Sequence, residues 1–155
     1  MAKVNPIPEG YHSVTPYLSI KGAAAAIDYY KEVFGATELF RMGGPDGKIG
    51  HAEIKIGNSP IMLADEYPEM EFVSPQTLGG TPIGLMIYVD DVDTMFKHAI
   101  SGGAKEVKPL QNQFYGDRSG TLRDPFGHVW TVATHIEDVA PEEMERRAAA
   151  AHGGS

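Results

Sequence analysis

Few side chains in this sequence are of a type and spacing that could do chemistry. His51 and Glu53 lie two positions apart in the segment 49–56. On an extended strand both would project from one face, where a carboxylate can orient an imidazole that acts as a base or a hydrogen-bond partner. Gly116-Asp117-Arg118 adds a second carboxylate, with a guanidinium suited to grip a ligand carboxylate. His51, Glu53 and Asp117 are therefore the catalytic candidates. A plainer reading stands beside each: an exposed strand face is polar anyway, and an Asp–Arg pair is ordinary turn and surface chemistry. The absence of cysteine removes thiolate nucleophiles, disulfides and Cys-bound zinc. There is no Gly-x-Ser-x-Gly elbow, and Gly43-Gly44-Pro45-Asp46-Gly47 separates two strand patterns, so it reads as a hairpin and not a phosphate cradle. His98 falls in a helical segment, His152 in the tail, and His12, His128 and His135 at strand ends.

The elements that must position these residues are short and well punctuated. Segment 13–20 alternates, with Val14, Leu18 and Ile20 on one face and Thr15, Tyr17 and Ser19 on the other. An Ala-rich helix over 23–34 carries Ile27, Tyr30, Val33 and Phe34 as its apolar stripe and stops at Gly35. Strands follow at 37–42, 49–56 and 60–64. Segment 66–81 has no period and reads as an irregular linker. The pattern then restarts: a strand at 82–89, a helix from Asp90/Asp91 to about residue 100, and strands at 107–111, 114–122 and 128–134. Asp124-Pro125-Phe126-Gly127 reads as a structural turn.

Both halves therefore read βαβββ. Phe34-Gly35-Ala36 matches Gly102-Gly103-Ala104, and Ile61-Met62-Leu63-Ala64 matches Trp130-Thr131-Val132-Ala133. The expectation is a single α+β domain. Its first module spans 12–66, a linker loop 67–81, a second module 82–135, and a C-terminal helix and tail 136–155, with the helix starting near Pro141.

Strand alternation sets the expected lining of a site. It turns Thr15, Tyr17, His51, Glu53, Met86, Tyr88, Tyr115, Asp117 and Thr131 to one side, and Arg118 stands next to them as a clamp. Such a mixture of aromatic, thioether and polar groups suits a partly apolar organic ligand. With 13 Lys+Arg against 21 Asp+Glu the net charge is −8, which argues against nucleic acid as a partner. No apolar run reaches the roughly 18–20 residues of a membrane span. The first residues lack a leader's apolar stretch, so a cytoplasmic location is expected.

The stretch 15–36, Gly50-His51-Ala52-Glu53, Tyr88-Val89-Asp90-Asp91-Val92-Asp93 and Gly116-Asp117-Arg118…Asp124-Pro125-Phe126-Gly127-His128-Val129-Trp130 resemble the vicinal oxygen chelate superfamily. That group includes glyoxalase I, bleomycin-resistance proteins, fosfomycin-resistance enzymes and extradiol dioxygenases, and the likeness is greatest to its PhnB-like branch. The resemblance implies tandem modules whose curved mixed sheets form a cup, with helices outside. Metal-dependent members take His, Gln or Glu ligands from the first and last strand of each module. Those positions fall here on Thr15, Met62, Gly84 and Thr131, which cannot supply such a set. No metal and no cofactor is therefore expected, and Met62 joins the ligand-binding residues.

The function expected is binding of a small organic ligand in a metal-free cup, with the reaction unassigned. One alternative is a metal-dependent lyase, isomerase or dioxygenase using His51, Glu53 and Asp117 as displaced ligands. Another is a non-catalytic interaction module. A module of about 65 residues buries too little to stand alone. Met70, Phe72, Val73 and Leu78 in the linker add apolar surface, so a homodimer with cups completed by both chains is expected.

Overall fold

A computed structural model describes residues 3–153; Met1 and Ala2 at the expected N-terminal stretch, and Gly154 and Ser155 of the expected tail 136–155, lie outside the described residues. The elements are β1 (Tyr17–Ile20), α1 (Ala23–Phe34), β2 (Thr37–Gly43), β3 (Ile49–Ile56) and β4 (Ser59–Asp65). After them come a 3-10 turn (Pro68–Met70), α2 (Pro75–Leu78), β5 (Gly84–Tyr88), α3 (Val92–Ser101), β6 (Lys105–Asn112), β7 (Asp117–Arg123), β8 (Val129–His135) and α4 (Pro141–Gly153). The chain forms two compact units, the first ending at Gly80 and the second beginning at Thr81. Each holds one four-stranded mixed sheet, ordered β1-β4-β3-β2 in the first and β5-β8-β7-β6 in the second. The tandem βαβββ expectation is met. Leu18 lies opposite Leu63, and Ile87 opposite Val132, so the register equates Met62 with Thr131 as the repeat requires.

In the first unit strand alternation decides which face α1 covers. Leu18, Ile20, Ala52, Ile54, Ile61 and Leu63 are buried, as are Ala26, Ile27, Tyr30, Val33 and Phe34 of the helix. Each large side chain so buried contributes about 1.5–3 kcal/mol. Tyr17, Phe40, Met42, His51, Glu53 and Met62 stand on the opposite, open face. In the second unit Ile87, Phe96, Ala99, Leu122, Trp130 and Val132 form the equivalent core.

Helix α1 opens on Gly22, whose left-handed φ of 95° supplies no side-chain cap. Asp65, at the end of β4, does the capping from a distance. Its Oδ1 accepts from the Gly22 and Ala23 N–H groups at 3.0 and 3.1 Å, and its Oδ2 from Ile49 N–H at 2.6 Å. A hydrogen bond to a charged group contributes about 1.5–3 kcal/mol, so this one side chain binds helix to sheet. Thr134 occupies the matching place in β8, where its Oγ1 accepts from Val92 N–H at 3.0 Å and donates to the Val89 carbonyl at 2.7 Å. Asp124 gathers the turn before β8, accepting from Phe126 N–H, His128 N–H and Trp130 Nε1–H. The turn at 124–127 is structural, as its sequence indicates.

The structure departs from expectation in three segments. β1 begins only at Tyr17, because Pro16 has no N–H to enter a ladder. Val14 is consequently 83% exposed and does not share a buried face with Leu18, and Thr15 lies outside the strand. β7 begins at Asp117 and not at residue 114. Gly116 turns the chain with φ 99°, and a Cβ there would meet the Glu137 carbonyl oxygen at 2.2 Å. Segment 66–81 is not structureless: besides the 3-10 turn and α2 it contains a bridge between Tyr67 and Phe72, and Ser74 accepts from Thr77 N–H to cap α2. His152, read as tail, lies in the last turn of α4. Among the described residues no helix is long and apolar enough to cross a membrane.

Candidate functional site

On the open face of the first sheet the register sets Tyr17 beside Met62, Met62 beside Glu53, and Glu53 beside Phe40, while Met42 lies opposite His51. The Tyr17 hydroxyl is 2.7 Å from His51 Nδ1, and His51 Nε2 is 3.0 Å from Glu53 Oε2. The other Glu53 oxygen accepts from the Tyr11 hydroxyl, brought in by the segment before β1. An ionised carboxylate only accepts, so Nε2 carries the proton. In an uncharged imidazole Nδ1 must then be the acceptor, and Tyr17 O–H donates to it. The hydrogen bond from Tyr11, then that from His51, holds the Glu53 carboxyl below its usual range. Burial and the Glu53 interactions push the Tyr11 phenol up to about 12. Burial, followed by the Glu53 charge, also raises Tyr17. All three shifts favour the same proton arrangement.

Rings surround this chain of hydrogen bonds. Tyr17 and His51 have centroids 5.5 Å apart, Phe72 meets Tyr17 edge-on at 5.6 Å, and Phe40 lies 6.2 Å from His51. Tyr17 and Phe40 are each 46% exposed, so their ring surface is available to a ligand.

In the second unit Met86 lies beside Thr131, and Thr131 beside Thr121, with the two threonine hydroxyls 3.0 Å apart. Tyr88 O–H donates to Asp117 Oδ2 at 2.8 Å. His135 Nδ1 is 2.8 Å from Asp117 Oδ1, and its Nε2 is 2.7 Å from Asp138 Oδ1. Both ring nitrogens face carboxylate oxygens, so both carry protons and His135 is an imidazolium. The bonds to Asp117 and then Asp138 raise its pKa. Tyr88 is raised chiefly by its bond to Asp117. Asp117 is 3% exposed with both oxygens engaged.

The structure brings Tyr17, His51, Glu53 and Met62 together in the first unit, and Tyr88, Asp117, Met86 and Thr131 onto the second sheet. Arg118 is held elsewhere: its guanidinium pairs with Asp93 of α3 at 2.8 and 2.9 Å and reaches Asn112 at 3.2 Å. Tyr115 sits in the turn before β7, edge-on to Phe114 at 5.3 Å. Thr15 stands ahead of β1.

The metal positions implied by the resemblance do not form a donor set. Gly84 has no side chain, Met62 offers a thioether, Thr15 a neutral hydroxyl, and the Thr131 hydroxyl is bonded to Thr121. Among the described residues no three His, Cys, Asp or Glu side chains are grouped so as to hold a metal ion. These residues do not fit a divalent cation.

The sequence profile of the Glyoxalase/Bleomycin resistance protein/Dioxygenase superfamily matches residues 12–132. The chain belongs to this superfamily. It is 40% identical over 136 residues to an uncharacterised protein of Mycobacterium tuberculosis, covering 86% of this chain and 80% of that one. Among solved structures it is similar to TioX of Micromonospora, with 27% identity, a TM-score of 0.61, and coverage of 83% of this chain and 100% of TioX. The PhnB protein of Bacillus cereus shares the fold at a TM-score of 0.65 and 17% identity, over 79% of this chain and 99% of PhnB.

Tyr11, which precedes the first strand, and Asp138, which follows the last, escape sequence reasoning, while Phe72 reads in sequence only as apolar linker surface and His135 only as a strand-end histidine. The only available signal is aromatic or ionisable character in the flanking loops. His135 yields a test of its cluster. Because its folded pKa lies above the ordinary value near ~6.5, its stabilisation is complete below that pH and is lost as pH rises through the folded value. The melting-temperature gap between the wild type and His135→Gln should be largest near about pH 6 and shrink as the pH is raised above the ordinary histidine range. Differential scanning calorimetry showing a constant or growing gap would contradict the imidazolium assignment.

Proposed function

We propose that this protein binds a small, partly apolar organic molecule on the open face of its first sheet, without a divalent metal and with no reaction assigned. The observation that carries the reading is the exposed Tyr17 ring, flanked by Phe72 and His51 and tied by its hydroxyl into a fixed hydrogen-bond chain. Apolar walls with a few oriented polar groups are the usual make-up of a small-molecule site. Met62 and Phe40 extend the apolar part, and Glu53 supplies the charge. On the second sheet Met86, Tyr88 and Thr131 offer a comparable surface.

The metal-dependent alternative has less support. Both oxygens of Glu53 and of Asp117, and both ring nitrogens of His51, are already engaged inside their own units. The acidic net charge of −8 supports a role away from nucleic acid and membrane surfaces, and we place that role in the cytoplasm. A homodimer belongs to the same reading, since Met70 and Leu78 leave 76% and 65% of their surface exposed. Light scattering should give twice the chain mass of 16.8 kDa, and a stable species at 16.8 kDa would rule the dimer out.

A thermal-shift panel of aromatic, aliphatic and glycopeptide compounds tests the binding proposal. At least one aromatic compound should stabilise the protein. Phe72→Ala should weaken that compound about tenfold, the loss expected for one aromatic wall. No stabilisation by any compound would favour the interaction-module alternative instead.

A further inference from the structure

We infer that the ligand carries an organic ammonium on its apolar body, read by the Tyr17 oxygen and the charge of Glu53. The inference rests on the small-molecule reading above and follows from the direction of the hydrogen bonds. Glu53 accepts a hydrogen bond from the Tyr11 hydroxyl on one oxygen and from His51 Nε2–H on the other. With the ring uncharged, His51 Nδ1 accepts, and the Tyr17 hydroxyl donates to it. What Tyr17 presents outward is a pair of lone pairs. A ligand meeting that oxygen has to donate.

Charge points the same way. Tyr11, Tyr17 and an uncharged His51 leave the group with the single negative charge of Glu53. The rings of Tyr17, Phe40 and Phe72 stand around it, and an ammonium over an aromatic face within about 6 Å is attracted by the negative face of the ring. The nearest cation along β3 on this face is Lys55, two positions beyond Glu53 and opposite Thr37 and Pro60, so about 6.6 Å further along the strand. A carboxylate ligand centred on Tyr17 would face lone pairs and a negative charge.

The second unit repeats the arrangement with other residues. Tyr88, 61% exposed, donates to Asp117, so its oxygen too presents lone pairs. Asp117 and Asp138 outweigh the imidazolium of His135 by one negative charge. Arg118, the guanidinium that could have reversed this balance, is committed to Asp93.

Calorimetric titration at neutral pH with three probes that share one aromatic body tests the inference: phenethylammonium, phenethyl alcohol and phenylacetate. Phenethylammonium should bind at least about tenfold tighter than phenylacetate. Glu53→Gln should remove that preference. Tyr17→Phe should weaken the ammonium and the alcohol while sparing phenylacetate, and it serves as the test if Glu53→Gln does not fold. Phenylacetate binding as tightly as the ammonium, or a preference that survives both substitutions, overturns the inference and leaves the small-molecule reading standing. If none of the three probes binds, the inference falls, while the small-molecule reading falls only if the whole thermal-shift panel also fails to stabilise the protein.

Discussion

Glu53 accepts one hydrogen bond from Tyr11 and another from His51, and those two bonds set the direction of every hydrogen bond that follows on the open face of the first sheet. A carboxylate has no proton of its own to offer, so it imposes a tautomer on the imidazole and, through the imidazole, a role on Tyr17. The rest of the unit serves this placement. Strand β3 must be a central strand, so that Glu53 has Met62 on one side and Phe40 on the other. Helix α1 must cover the opposite face, so that Ala52 and Ile54 are buried and His51 and Glu53 are not. Asp65 anchors that helix to the strand ends.

The two units show what one topology permits. Strand order is the same in both, and so is the parallel pairing of first and last strands. The chemistry differs because the first unit has one carboxylate for its histidine and the second has two. In an uncharged ring a single carboxylate leaves one nitrogen as an acceptor, which passes the constraint to Tyr17. Two carboxylates require both nitrogens to donate, so the charge of His135 becomes part of the structure and depends on pH. In each unit a tyrosine on the first strand ends up as the donor, its oxygen turned outward without a proton to give.

Periodicity reveals local order and not the partner of a side chain. The two βαβββ halves, the Gly35 stop, the Asp91 start of α3 and the core residues were all legible, because each follows from spacing within about a dozen residues. Tyr17, His51 and Glu53 were legible as face-sharing residues by the same alternation. The start of β1 was not, since Val14 continues the pattern while Pro16 breaks the ladder. Tyr11 reaches Glu53 across 42 positions, and Asp65 reaches Ala23 across 42, distances at which no pattern in one sequence operates. Arg118 reads as a clamp in sequence because the helix bearing Asp93 is 25 positions away.

Long-range proton–nitrogen correlation spectra of the nitrogen-15-labelled protein, recorded near neutral pH, report the tautomer of His51 directly. An uncharged ring with its proton on Nε2 is the predicted result, with the signal reverting toward the free tautomer mixture in Glu53→Gln. A proton on Nδ1 would make Tyr17 the acceptor of that bond, free its hydroxyl to donate to a ligand, and contradict the account.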